Sequence, residues 1–193
     1  AIELLKAYPD EIHWNRLSQN TNTEAIELLK ANIDNIEWKF LSRNPNAIDL
    51  LKANSDNINW QWLSKNPSAK AIELLKENRS NIDWSRLSLN SNEGAIELLK
   101  ANFEKIDWSN LSENTNAEAI ELLKENPTKI VWQNLSSNPK AIELLKKNQY
   151  KINWESLSEN PNPEAIELLK ENQYKIDWQM LSENPAIFDE ILE

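Results

Sequence analysis

The hexapeptide Ala-Ile-Glu-Leu-Leu-Lys opens the chain at Ala1 and returns at Ala25, Ala71, Ala95, Ala119, Ala141 and Ala165, with an Asp49 variant beginning at Ala47. Successive copies lie 24, 22, 24, 24, 24, 22 and 24 residues apart. A unit of that length buries too little apolar surface to hold a fold alone, so neighbouring units must stack and share a core. No linker or low-complexity stretch interrupts the series, and the 193 residues read as a single elongated repeat domain. Its units run 1–24, 25–46, 47–70, 71–94, 95–118, 119–140, 141–164 and 165–185, with a tail at 186–193. They are numbered here as repeats one to eight.

Each repeat predicts two helices. In Ala-Ile-Glu-Leu-Leu-Lys, a step of 100° per residue gathers Ala, Ile and both Leu on an arc of about 160°, with Glu and Lys opposite. This amphipathic first helix is too short to stand alone. Asn-Pro pairs such as Asn44-Pro45 and Asn138-Pro139 mark its start, Asn as cap and Pro at the first helical position. An Asn marks its end in seven repeats, beginning with Asn32. The 22-residue repeats lack two residues just before the hexapeptide, which places the length variation in a turn.

The second segment reads Ile-x-Trp-x-x-Leu-Ser-x-Asn, as in Ile82, Trp84, Leu87, Ser88 and Asn90. Ile and Trp two positions apart cannot share a helix face, so the Ile is extended and a short second helix, α or 3-10, begins near Trp. Asp, Asn, Glu or His before the Trp is the expected cap in seven repeats, Val131 being the exception. The repeated Trp and Leu are expected in the core. The repeated Ser and Asn are expected to satisfy backbone groups at turns, as ladders between repeats. The repeated Lys, from Lys6 to Lys170, follows an acidic residue by three positions and predicts an exposed stripe of weak ion pairs.

Composition removes most chemistry. One Gly rules out a phosphate-cradling loop, and the absence of Cys removes disulfides, thiolate catalysis and Cys-based zinc sites. A lone histidine, His13, supplies neither a metal cluster nor a triad. The repeated Ser has no base beside it and so is not a nucleophile. No catalytic, cofactor-binding or metal-binding residue is expected, and no enzyme. A net charge of −10 disfavours nucleic acid as a partner. No apolar run approaches the roughly 18 residues of a membrane span, so no membrane partner is expected.

The run Asn160-Pro161-Asn162-Pro163-Glu164-Ala165-Ile166-Glu167-Leu168-Leu169 resembles the leucine-rich variant repeat, a 24-residue unit with an Asn-Pro turn and a Leu-bearing helix. That resemblance implies a right-handed solenoid of alternating α and 3-10 helices; the Val-Arg pair of that family is here replaced by Ile-x-Trp. Over essentially the whole chain, the unit is also similar to Asn-Pro-x-Ala-Ile-x-Leu-Leu repeats with Ile-x-Trp-x-x-Leu-Ser in proteins of large DNA viruses. This second resemblance implies tandem repeats and carries no activity. The expected fold is therefore all-α: a right-handed α-solenoid of eight two-helix repeats with a C-terminal capping helix over the tail.

Function is sought where residues vary on a constant frame. The position two after the repeated Trp, expected farthest from the core, holds Arg16, Phe40, Trp62, Arg86, Asn110, Asn134, Ser156 and Met180. Phe40 and Trp62 are large aromatics in neighbouring repeats at a site where Asn and Ser also occur. On the same helices, repeats one to four carry Arg16, Lys39, Arg43, Lys65 and Arg86 with no acid, a local charge of +5. Repeats five to eight carry Glu113, Glu155, Glu159 and Glu183 with no base, a local charge of −4. The connections between helices run the opposite way, from −3 in the first four repeats to +3 in the last four. Exposed aromatics bordered by Arg and Lys have the composition of a protein interface. The expected role is thus a non-enzymatic scaffold binding a protein partner through Arg16, Lys39, Phe40, Arg43, Trp62, Lys65 and Arg86. The alternative is a structural or self-assembling solenoid, or an array made or trimmed for study, with charge-driven self-association and no specific ligand.

Overall fold

The computed structural model describes residues 2–188. The chain packs as two compact bodies, Ala1–Leu98 and Leu99–Glu193. Each body is an all-α stack of two-helix repeats, the arrangement of an α-solenoid, and no strand occurs among the described residues.

In the first body the first helices are Ile2–Ala7, Thr23–Lys30, Ile48–Lys52 and Ala69–Glu77; the second helices are Trp14–Gln19, Trp38–Leu41, Trp60–Ser64 and Trp84–Ser88. Helix Glu93–Lys100 belongs to repeat five and contains the boundary between the bodies. In the second body the first helices continue with Ala117–Glu125, Ile142–Lys146 and Pro163–Glu171, and the second helices are Trp108–Glu113, Trp132–Ser136, Trp154–Ser158 and Trp178–Glu183. Within a body, second helices of successive repeats lie side by side, as Trp14–Gln19 with Trp38–Leu41 and Trp108–Glu113 with Trp132–Ser136, and several also pack on the first helix of the following repeat, as Trp60–Ser64 does on Ala69–Glu77. The later Leu of the pair is fully enclosed, as at Leu51, Leu75 and Leu123, and so is the second-helix Leu, as at Leu63, Leu87 and Leu135. Burial of these side chains contributes roughly 1.5–3 kcal/mol each, which is what holds helices of this length together.

The second helix is α in every repeat and begins at its Trp, with the preceding Ile extended as expected, for example Ile82 at φ −66° and ψ 125°. The 3-10 geometry falls on the connection instead: three-residue 3-10 turns such as Ile33–Asn35, Arg79–Asn81 and Gln173–Lys175 join the helices, and a turn at residues 127–129 replaces one in repeat six. No described residue has a positive φ, so none of these connections needs glycine, which accounts for a single Gly in the chain.

Several expectations are corrected. The two residues missing from the 22-residue repeats come out of a helix, not only a turn. The 22-residue repeats two and six are followed by Ile48–Lys52 and Ile142–Lys146, of 5 residues each, whereas the first helix that follows a 24-residue repeat has 8 or 9. There Asn22, Asn116 and Asn162 accept from the amide two residues on, and Pro163 occupies the first helical position. Asn44-Pro45 and Asn138-Pro139 do not start their helices; Ala47 and Ala141 precede them with no side-chain cap. Asn59, Asp83, Asp107, Asn153 and Asp177 cap the second helix, whereas His13 and Glu37 do not. Only the short Asp and Asn side chains set an oxygen at the right reach from their own backbone. The first seven repeated Trp are half-buried and Trp178 is 65% exposed, so the Trp rings lie at the margin of the core. A side chain on the first residue of a helix leans past its N-terminal end, whereas Leu three positions later faces inward. The tail forms a 3-10 turn, Pro185–Phe188, packed on Pro163–Glu171; the rest of the expected capping helix lies outside the described residues.

The fixed polar residues form the ladders anticipated from sequence, and all but Asn20 and Ser182 in the end repeats are buried. Ser64 Oγ donates to Trp60 O at 2.8 Å and accepts from Asp83 N–H of the next repeat at 3.0 Å. Ser112, Ser136 and Ser158 repeat both bonds in the second body. The Asn two residues later works in the other direction. Asn90 Nδ2 donates to Ser64 O and Asn66 O of the previous repeat at 3.0 and 2.9 Å, while its Oδ1 accepts from Asn92 N–H. Asn138, Asn160 and Asn184 do the same. Among the described residues no buried side-chain polar atom lacks a partner.

The Lys stripe pairs within a helix at Lys6–Glu3, Lys30–Glu27, Lys124–Glu121 and Lys170–Glu167. It also bridges successive first helices, at Lys76–Glu97, Lys100–Glu118 and Lys146–Glu164. Hydrogen bonds from Lys146 to Glu164 and Glu143 hold its ammonium above the ordinary lysine pKa. These pairs are exposed and screened by solvent, so each is weak.

Candidate functional site

The position two after Trp is not the most exposed on the second helix. Its side chains are half-buried from Phe40 to Met180, and the residue directly after Trp points outward instead, as at Lys39, Gln61 and Gln133. The cause is lateral packing. Side-by-side second helices set these positions against residues of neighbouring repeats, so they form a column along each body. In the second body Asn134 Nδ2 donates to Ser109 Oγ at 3.0 Å and to Glu113 in the preceding repeat.

In the first body the column carries the aromatic cluster. Trp62, in repeat three, receives three cations: Lys39 Nζ at 5.5 Å from the ring centroid, Arg43 Cζ at 5.6 Å and Arg86 Cζ at 5.1 Å. Lys39 and Arg43 come from the preceding repeat and Arg86 from the following one. Lys39 also lies 5.9 Å from the Phe40 ring, which ties the two aromatics to one cation. Each contact is worth about 0.5–1 kcal/mol at such a site. The electrostatics are unbalanced. Asp83 lies 3.4 Å from Arg86 Nε, while among the described residues neither Lys39 nor Arg43 pairs with a carboxylate. Beside them lies a shallow depression lined by Gln19, Phe40, Arg43, Asn44 and Pro45.

Five of the seven sequence-predicted residues are therefore brought together: Lys39, Phe40, Arg43, Trp62 and Arg86. Arg16 and Lys65 are exposed and stand outside the cation set around Trp62. Arg16 lines a separate hollow with Leu5, Ile12, His13 and Leu17. The cluster can offer a flat apolar ring and a fork of guanidinium and ammonium donors to one anionic, partly apolar group.

A second set of exposed aromatics was missed by attending to the second helix alone. Tyr150 and Tyr174 are 82% and 84% exposed on the connections of repeats seven and eight. Lys151 lies 5.6 Å from the Tyr150 ring and 4.8 Å from Trp132; Lys175 lies 5.4 Å from Tyr174 and 4.3 Å from Trp154. The signal was legible as Gln-Tyr-Lys-Ile repeated unchanged at 149–152 and 173–176.

Among the described residues no three His, Asp or Glu side chains converge as metal ligands, and no helix is long and apolar enough to cross a membrane. In comparisons with known proteins, no family model, no curated protein and no solved structure matches this chain.

Proposed function

We propose that this chain is a non-enzymatic scaffold that holds a partner protein on the second-helix face of its first body, with Trp62 at the centre. The observation that carries this reading is the convergence of Lys39, Arg43 and Arg86 on the Trp62 ring. An aromatic surrounded by cations on a half-buried helix column is the composition of a binding hot spot. A scaffold role also agrees with the repeated Ser hydroxyls, whose donor and acceptor capacity is used up between repeats, as at Ser64 and Ser158.

The test compares wild-type chain with Phe40→Ala/Trp62→Ala as bait, using recovery of the same bound protein as the readout. Truncation of the central pair should cost at least 2 kcal/mol, roughly a thirtyfold loss of affinity. Equal recovery by both baits would sink the assignment.

A further inference from the structure

Apart from Leu4 and Trp178 in the helices of the first and last repeats, the large hydrophobic side chains left exposed among the described residues collect on the connections between helices. Tyr8, Ile33, Phe103, Tyr150 and Tyr174 lie in or next to the three-residue turns, at 62, 43, 44, 82 and 84% exposure. Since corresponding helices of successive repeats pack together within each body, the turns that join them also fall in line, as a ridge. This ridge is distinct in residues from the Trp62 cluster.

The two bodies carry opposite charge there. In the first body the ridge holds Asp10, Glu11, Asp34 and Asp56 against one cation, Arg79. In the second body it holds Lys105, Lys129, Lys151 and Lys175 against one acid, Glu104. The switch is sharpest at the last turn position, which reads Glu11, Asn35, Asn57 and Asn81, then Lys105, Lys129, Lys151 and Lys175. Both ridges also present apolar rings or chains: Tyr8 and Ile33 on the acidic one, Phe103, Tyr150 and Tyr174 on the basic one. Stacking against Tyr150 and Trp132 fixes the Lys151 chain in place, and Tyr174 and Trp154 do the same for Lys175, so less side-chain freedom remains to be lost on contact.

We infer that the turn ridges are a homotypic interface: the acidic ridge of one copy of this chain docks on the basic, tyrosine-bearing ridge of a second copy. The occupant is a second copy because both members of the complementary pair, in charge and in apolar content, are present on the one chain. An unrelated acidic protein would account for the lysine ridge and leave the acidic one unexplained. Complementary ridges of this kind steer the encounter and set the register, while the exposed aromatics supply the buried area.

The experiment is sedimentation equilibrium of the full chain at low and high ionic strength, with two charge-reversed variants. One is Asp10→Lys/Asp34→Lys/Asp56→Lys and the other is Lys129→Glu/Lys151→Glu/Lys175→Glu; far-UV circular dichroism verifies that each retains the helical fold. The wild type should self-associate at low salt and weaken at least tenfold as the screening length drops from about 30 Å to about 8 Å. Each variant alone should sediment as a monomer, and the equimolar mixture should recover association, since the reversed ridges are again complementary. A wild type that remains monomeric at low salt overturns the inference, as does undiminished association of either variant. A monomer whose lysine ridge binds a single-stranded oligonucleotide, with no association between copies, overturns it in favour of nucleic acid. Trp62→Ala leaves both ridges intact, so failure here and failure of the partner site above are separable.

Discussion

Asn138 exemplifies the joint between repeats of the second body. Its amide donates to Ser112 O and Asn114 O, and its carbonyl accepts from Lys140 N–H, all at a side chain 2% exposed. Replacing it with Ala removes the three hydrogen bonds of a buried side chain, and should cost on the order of 3 kcal/mol. Asn138→Asp should be worse at neutral pH, because a carboxylate would face two carbonyl oxygens as a second acceptor. Chemical denaturation of both variants measures this, and equal midpoints for Ala and Asp would refute the donor role. That Ser and Asn are structural was legible from their presence in all eight copies beside a core Leu. Which group donates to which was not, since both bonds of Asn138 run to the previous repeat, 24 and 26 residues away. The Trp62 cluster shows the same division. Its residues were legible from what varies, but the contact of Arg43 and Arg86 with one ring depends on lateral packing between helices.

At the scale of the element, the first helix takes its length from what precedes the hexapeptide. Ahead of the repeat-six hexapeptide, Asn116-Ala117-Glu118 cap and extend the helix, whereas the chain passes directly from Asn46 to Ala47 at the start of repeat three. Asn46 is otherwise equivalent to Asn116: its amide N–H donates to Asn44 Oδ1, as that of Asn116 does to Asn114 Oδ1. Inserting Ala-Glu between Asn46 and Ala47 should therefore add about one turn to Ile48–Lys52, with Asn46 becoming the cap, and stabilise by about 1 kcal/mol. Greater ellipticity at 222 nm with an equal or higher melting temperature is the expected result; a lower melting temperature would contradict it. The amphipathic pattern made the first helix plain, and the Ile-x-Trp offset placed the start of the second. The boundary at Thr23 or Ala69 is not legible in the repeat, because the helix begins ahead of the constant hexapeptide, on residues that vary. The 3-10 turns left almost no signature, since Ile33-Asp34-Asn35 and Arg79-Ser80-Asn81 share little beyond their final Asn.

For the molecule as a whole, stability is set by how many neighbours a repeat has. Repeat one shows Leu4 at 66% exposure and repeat eight shows Trp178 at 65%, whereas Leu75 and Leu123 are fully enclosed. Amide hydrogen exchange should accordingly be fastest in the helices Ile2–Ala7 and Trp178–Glu183 and slowest in Ala69–Glu77 and Ala117–Glu125. Uniform protection along the chain would show that the repeats unfold as one cooperative unit instead. The charge reversal between the first four and last four repeats was readable from sequence, but its joining to exposed tyrosines on the connections needed the folded backbone. The asparagine ladder carries one more consequence. In the second body a repeat offers the next the same pair of carbonyls and takes the same pair from the previous one, whatever its variable positions hold. Repeats are therefore interchangeable parts: one duplicated, lost or shuffled in the gene closes the same buried bonds on either side. The outer surface is free to be rewritten while the joint that carries the fold stays constant.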